Sequence, residues 1–290
     1  MTNRILINWI GTLVIISFWT AIYLAVVSCL PEKPNSSAPY ISSGPLEDIK
    51  NAATFSSCAS YNWKDRGHAP AAYFQGMAKV FAKQICQFDT RSDLKLVSAA
   101  RTSNDATDAL SWYNSNFKSL GLSNEEAGKN TLRHAYALLI GLGMRESSGS
   151  HCTGRDAAAP NTGSANAEAG LFQTSWDSHI LSPELVKLFK QYSSSRDGCF
   201  LNDFNDKIFC PESDWKNYGT GEGAGFQKLE KDCPTFSAEY AAIMLRISAG
   251  RVGHYGPLRR KEAEIKKECD QMLFQVQKIV ESNPRVCEKL

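Results

Sequence analysis

From Ser123 to Gly149 the chain reads Ser-Asn-Glu-Glu-Ala-Gly-Lys-Asn-Thr-Leu-Arg-His-Ala-Tyr-Ala-Leu-Leu-Ile-Gly-Leu-Gly-Met-Arg-Glu-Ser-Ser-Gly. Ser123 followed three residues later by Glu126 fits a capping box, with the serine as N-cap. A helix is therefore expected from about 124 to about 145, through Leu132, Tyr136, Leu139, Ile140 and Leu142. Its second half, Ala135 to Met144, is apolar nearly all round, which is the pattern of a helix buried in a domain centre. It ends in Arg145 and Glu146, so a carboxylate leaves a hydrophobic helix at the negative end of its dipole. Desolvation and that dipole both disfavour ionisation. A carboxyl kept protonated near neutral pH can serve as a general acid; an isolated Glu beside Arg145 can equally be a surface ion pair.

The pattern around this segment is helical as well. Ala71 to Phe88 carries Tyr73, Phe74, Met77, Val80, Phe81 and Ile85 at three- and four-residue spacing. Further helices are expected at 183–192, 235–249 and 258–282. The stretch 193–234, rich in Gly, Asp and Ser, reads as a long excursion pinned by disulfides. Strand signals are sparse, so the fold class is mainly α.

The charge is balanced: 32 Lys+Arg against 30 Asp+Glu over 290 residues, with no long basic run. Nothing there points to nucleic acid. The basic residues Arg259, Arg260, Lys261, Lys266 and Lys267 are interleaved with Glu262, Glu264 and Glu268, as on a solvated helix face. Residues Ile5 to Ser28 lack any charged side chain and are long enough to span a bilayer, with Arg4 on the cytoplasmic side. The run ends in Val26-Val27-Ser28-Cys29, which resembles a lipobox. Residues 1–29 are thus either a lipoprotein signal with Cys29 lipidated or an uncleaved membrane anchor. Both export the remainder, which a Pro/Ser-rich tether at 30–50 would join to a folded region at 51–290.

Nine cysteines are present; without Cys29 they are even in number and suit disulfides in an oxidising compartment such as the periplasm. Connectivity is open, with Cys199–Cys210 and Cys269–Cys287 suggested by proximity alone. No C-x-x-C occurs and the five His lack zinc spacing, so neither metal nor cofactor is expected. His151 next to Cys152 is a poor nucleophile–base pair, because neighbours in sequence are rarely so disposed.

Downstream, Ala167 to Asp177 reads Ala-Glu-Ala-Gly-Leu-Phe-Gln-Thr-Ser-Trp-Asp. Glu146-Ser147-Ser-Gly followed by Gly170-Leu171-Phe172-Gln173, after a buried helix, resembles the lytic transglycosylase and goose-type lysozyme family over residues 124–257. The resemblance implies a lysozyme-like helical domain with disulfide-stapled loops that cleaves peptidoglycan glycan strands between N-acetylmuramic acid and N-acetylglucosamine. It makes Glu146 the acid/base, Ser147 a residue that helps hold the site, and Gly170, Leu171, Phe172 and Gln173 a substrate-binding motif. Leu171 and Phe172 of that motif read as core packing even within the family, and Gln173 is the better ligand contact. The family's Ala-Tyr-Asn motif is missing; Tyr240 to Pro257 takes its place in order, with Ser248 or Arg246 near the absent Asn and Tyr255 toward substrate. Trp176, Trp215 and Tyr255 are either sugar platforms or core aromatics.

A transglycosylase, as the resemblance implies, needs one Glu: the substrate's N-acetyl group assists and its C6 hydroxyl displaces the leaving sugar. A hydrolase of the inverting type needs a second carboxylate at roughly 6.5–9.5 Å. Asp156, Glu168 and Asp177 are the candidates, Asp156 and Asp177 reading also as capping residues. A non-catalytic glycan-binding or scaffold lipoprotein of the envelope, or a hydrolase of another N-acetylated glycan such as chitin, stays open.

Overall fold

The computed structural model describes residues 44–290 except positions 157 and 206. The expected anchor, Cys29 and most of the tether lie outside the described residues; among those described, no helix is long and apolar enough to cross a membrane. The described part is mainly helical. Its longer helices are α1 (Pro45–Thr54), α2 (Ala71–Cys86), α3 (Lys129–Ser147), α4 (Pro183–Ser194), α5 (Gly221–Asp232), α6 (Pro234–Ile247) and α7 (Lys267–Ser282). A two-stranded antiparallel hairpin, β1 (Asn62–Trp63) with β2 (Gly67–His68), links α1 to α2. The end of the expected tether is therefore helical from Pro45, whose fixed φ suits a first helical position.

The central helix α3 starts later than the capping box suggests. Ser123 Oγ accepts only a long 3.4 Å bond from the Glu125 amide. Asn124 is instead fully buried, its side-chain oxygen 2.7 Å from His134 Nδ1 and its carbonyl taking the Arg101 amide. The Gly128 amide is drawn to Ser98 O at 2.9 Å. These tertiary bonds hold 123–128 off the helix axis, outweighing a local cap that contributes about 1 kcal/mol.

From Thr131 to Met144 every residue of α3 is buried. It can be enclosed so tightly because Gly143 has no side chain: a Cβ there would stand 2.4 Å from Tyr73 Oη and 3.2 Å from a Phe172 ring carbon. Tyr73 of α2 donates its hydroxyl to Ile140 O at 2.8 Å. α3 ends at Ser148, in the left-handed region at φ 54°, so Arg145 and Glu146 fall in its last turn at the domain surface.

The segment expected as one helix, 258–282, is two. A short turn at Gly256–Arg259 breaks before Lys261 (φ 55°), and α7 begins only at Lys267. Between them irregular backbone crosses α3, and Glu264 takes the Lys64 amide at 2.9 Å and Lys266 at 2.7 Å. The helices expected at 71–88, 183–192 and 235–249 are α2, α4 and α6.

Four disulfides form: Cys58–Cys269, Cys86–Cys287, Cys152–Cys210 and Cys199–Cys233. Neither pair suggested by proximity is made. Two of the bonds span 211 and 201 residues and tie the region before and at the end of α2 to the C-terminal helices. The other two pin the 193–234 excursion, which is less irregular than its composition suggests because it ends in the 12-residue helix α5.

Candidate active site

Glu146 lines a cleft of about 560 Å³, together with Gln173, Glu168, Asp156 and Tyr255. Arg66, Arg145, Arg155, Arg259 and Arg260 give the same cleft a cationic rim. The Glu146 carboxyl makes no hydrogen bond or ion pair among the described residues. Its pKa is pushed up to about 8, first by burial and then by the charge of Glu168; Arg260, Arg66 and Arg145 oppose the shift without cancelling it. Its place in the last turn of α3, at the negative end of the helix dipole, acts in the same direction as burial. A group with this pKa carries a proton at neutral pH and can also give it up there, which is what acid and then base work requires.

Those arginines are largely committed elsewhere. Arg145 donates to Lys64 O at 3.1 Å and pairs with Glu262 at 3.4 Å. Arg260 forms a two-pronged pair with Glu262, both contacts at 2.8 Å. Glu146 is thus left near positive charge without an ion pair to it.

Glu168 stands on the opposite side of the motif from Gln173 in sequence and shares the cleft. Its pKa is also raised, by burial and by the charges of Asp156 and Asp177, with the Asn161 amide and Arg155 opposing. Asp156 lines the cleft, but its carboxylate accepts the Ala158 amide at 2.8 Å, as a turn residue does. Asp177 is exposed, bonded to the Ser175 hydroxyl at the start of a 3-10 turn (Trp176–Leu181), and lies outside the cleft lining.

The second motif divides in two. Gly170 (φ 77°) makes a turn closed by its amide on Thr153 O at 2.8 Å and by an Ala169–Thr174 bridge. Gln173, at φ 50°, faces the cleft, and its amide nitrogen braces the turn on Gly170 O at 2.9 Å and Thr153 O at 3.3 Å. Leu171 and Phe172 point the other way and are fully buried in the core. They are therefore not substrate contacts: a turn that presents Gln173 outward must drive the preceding pair inward. Ser147, expected to help hold the site, is buried with its hydroxyl bonded to Gly143 O at 3.0 Å and does not line the cleft. Gly170 contributes backbone shape only.

In the region that replaces the third motif, Tyr255 reaches the cleft; Arg246 does not. Arg246 is buried against Asp108 at 3.0 Å and donates to the carbonyls of Val97, Ala99 and Ala100. Ser248 bonds His254 Nδ1, and His254 lines the cleft. Trp176 is stacked on His179 with ring centroids 4.0 Å apart and packed on Phe189 and Phe226, so it is core; Trp215 lies edge-on to His151. The His151, Cys152 and Cys210 ligand-type atoms lie within 4.8 Å of one another, but both sulfurs belong to one disulfide.

Sequence reasoning passed over Glu230 of α5. It is fully buried behind the cleft wall, with its pKa pushed up to about 8 by burial. The signal was present: Phe226, Leu229, Glu230 and Cys233 repeat at helical spacing, which puts a carboxylate on an apolar face. The cleft arginines and His254 had no comparable signature, because they converge from distant segments. No family model, curated protein or solved structure matches this chain.

Proposed function

We propose that the chain cleaves the glycan strands of peptidoglycan between N-acetylmuramic acid and N-acetylglucosamine, as a lytic transglycosylase with a lysozyme-like fold. The observation that carries the reading is Glu146: an un-ionised carboxyl at the end of a buried helix, free of partners, in a cleft it shares with Gln173. Glu146 would donate its proton to the glycosidic oxygen as the bond to the leaving sugar breaks. The substrate's N-acetyl group would then support the developing positive charge at the anomeric carbon. The carboxylate left behind would take the proton of the C6 hydroxyl as that oxygen attacks, giving a 1,6-anhydro end and restoring the acid. Gln173 supplies an amide contact along the sugar path, and Tyr255, whose hydroxyl is buried, lines the cleft with its ring. The four disulfides suit export to an oxidising compartment, in keeping with a periplasmic protein held at a membrane by residues 1–29.

Hydrolysis is the second reading, favoured by Glu168, a further carboxylate on the same cleft. Product mass separates the two, since the anhydro product is one water lighter. With purified sacculi and oxidised protein, wild type is expected to release anhydro-muropeptides. Glu146→Gln is expected to lower release by at least about 10³-fold with the fold intact, since the variant has no proton to transfer. Undiminished release from Glu146→Gln removes the residue from its role. No release from well-folded wild type favours a glycan-binding scaffold.

A further inference from the structure

We propose that Glu230 is a positioning residue for the cleft, its backbone and its carboxyl holding the two ends of the Gly170–Thr174 turn and thereby fixing Gln173. This rests on the transglycosylase reading for its kinetic arm only.

At one end of the turn, Gly170 lies so close to α5 that a Cβ would stand 2.7 Å from Glu230 O and 2.9 Å from its Cβ. At the other end, the Thr174 hydroxyl donates to Glu230 Oε1 at 2.8 Å. One residue of α5 therefore touches both feet of the turn, and Gln173 hangs between them at φ 50°. A backbone in that region needs outside support, because the conformation is unfavourable for a side chain larger than glycine. The second carboxyl oxygen of Glu230 has no hydrogen-bond partner, and Ser237 Oγ stands beside the carboxyl without closing a bond.

The groups facing this carboxyl are uncharged. Thr174 and Ser237 offer hydroxyls, and Tyr240 of α6 and Tyr255 of the cleft are both held un-ionised by burial. Lys231, next along α5, turns away to the carbonyls of Asp214 and Lys216. The Glu230 pKa is accordingly raised by burial with no cation to lower it. Burial outweighs the Thr174 and Ser237 hydroxyls, which favour the carboxylate, and keeps the acid neutral; ionisation in this dry setting would draw water or movement toward the turn. The cleft then needs two protons, one on Glu146 and one on Glu230.

The test compares Glu230→Gln, Glu230→Ala and Thr174→Val in the oxidised full chain, by sacculus turnover against pH and by amide hydrogen exchange without substrate. Glu230→Ala should lower kcat about 10²-fold, the size expected when a contact group is misplaced by about 1 Å. Glu230→Gln, neutral and of the same shape, should stay within about threefold of wild type. Above pH 8 the wild-type rate should fall more steeply than one ionisation allows, and Glu230→Gln should fall with a single ionisation. Exchange at the Ala169, Gly170 and Gln173 amides should rise at least about tenfold in Glu230→Ala while α3 stays protected. Thr174→Val gives the same exchange pattern at smaller size if the Ala variant does not fold. Unchanged exchange at those amides, a folded Gln variant as slow as Ala, or a uniform rise across the core would each overturn the proposal. Inactive wild type with the expected exchange pattern would sink the transglycosylase reading and leave the positioning role standing.

Discussion

Two glutamates, the buried Glu239 in α6 and the half-buried Glu146 at the end of α3, meet opposite electrostatic conditions. Glu239 is almost wholly enclosed, yet Lys83 stands 3.1 Å from one oxygen, Arg91 2.7 Å from the other, and Gln84 and Tyr192 complete its hydrogen bonds. Burial works to raise its pKa, but Arg91 and Lys83 outweigh it, and the group is held below the ordinary value. Glu146 keeps access to a cleft and has no such partner, and its pKa rises to about 8. Depth alone thus says little about role. The satisfied carboxylate ties α2, α4 and α6 together, whereas the unsatisfied one is available for proton transfer.

The largest test of that contrast is Glu239→Ala. It would leave Lys83 buried without a counter-charge and Arg91 with Asp93 as its remaining carboxylate, so the protein should lose about 3–5 kcal/mol of stability toward denaturant. A loss within about 0.5 kcal/mol, the range of an ordinary surface substitution, would mean the cluster is not the anchor its geometry indicates. In pH terms Glu239 is a depressed acid. Its contribution is present above the unfolded-state value and is lost as pH falls below it, so acid should unfold this region.

Glu146 has the reverse sign. Its raised pKa means the folded state binds more protons than the unfolded state between about 4.5 and 8, so stability falls as pH rises through that window. Glu146→Gln should therefore stabilise the protein at pH 9 by about 1–3 kcal/mol and leave it unchanged below pH 4. Thermal unfolding at the two pH values checks this, and a variant equally stable or weaker at pH 9 would contradict the desolvated carboxyl.

The same contrast explains how much of the fold is legible in the sequence. Helices with a clean apolar stripe, such as α2, were legible because burial of that stripe dominates their energetics. The start of α3 is not legible because a Ser-x-x-Glu box competes with the burial of Asn124 and the Ser98 bond, which are tertiary facts. Disulfide pairing across 211 and 201 residues cannot be inferred from spacing. At the site, Glu146 and Gln173 were legible as motif positions, but the motif did not distinguish the outward Gln173 from the inward Leu171 and Phe172. Glu239 and Glu230 look alike in sequence, each a lone acid on an apolar helix face; only their neighbours, cations for one and hydroxyls for the other, set them apart.

The smallest effect sharpens the comparison most, because it asks what raises Glu146. Burial comes first and the charge of Glu168 second. Glu168→Gln removes only the second cause, so the alkaline limb of the rate profile should move toward lower pH without reaching the ordinary carboxylate range. Asp156→Asn, by contrast, changes a turn residue bonded to the Ala158 amide and should leave that limb in place. If Glu168 were instead the base that activates water, its loss would abolish turnover at every pH rather than shift the profile. If the profile did not move at all, the two carboxyls would be electrostatically independent despite sharing the cleft. The Glu168→Gln profile therefore separates a carboxylate that tunes the acid from one that takes part in the reaction.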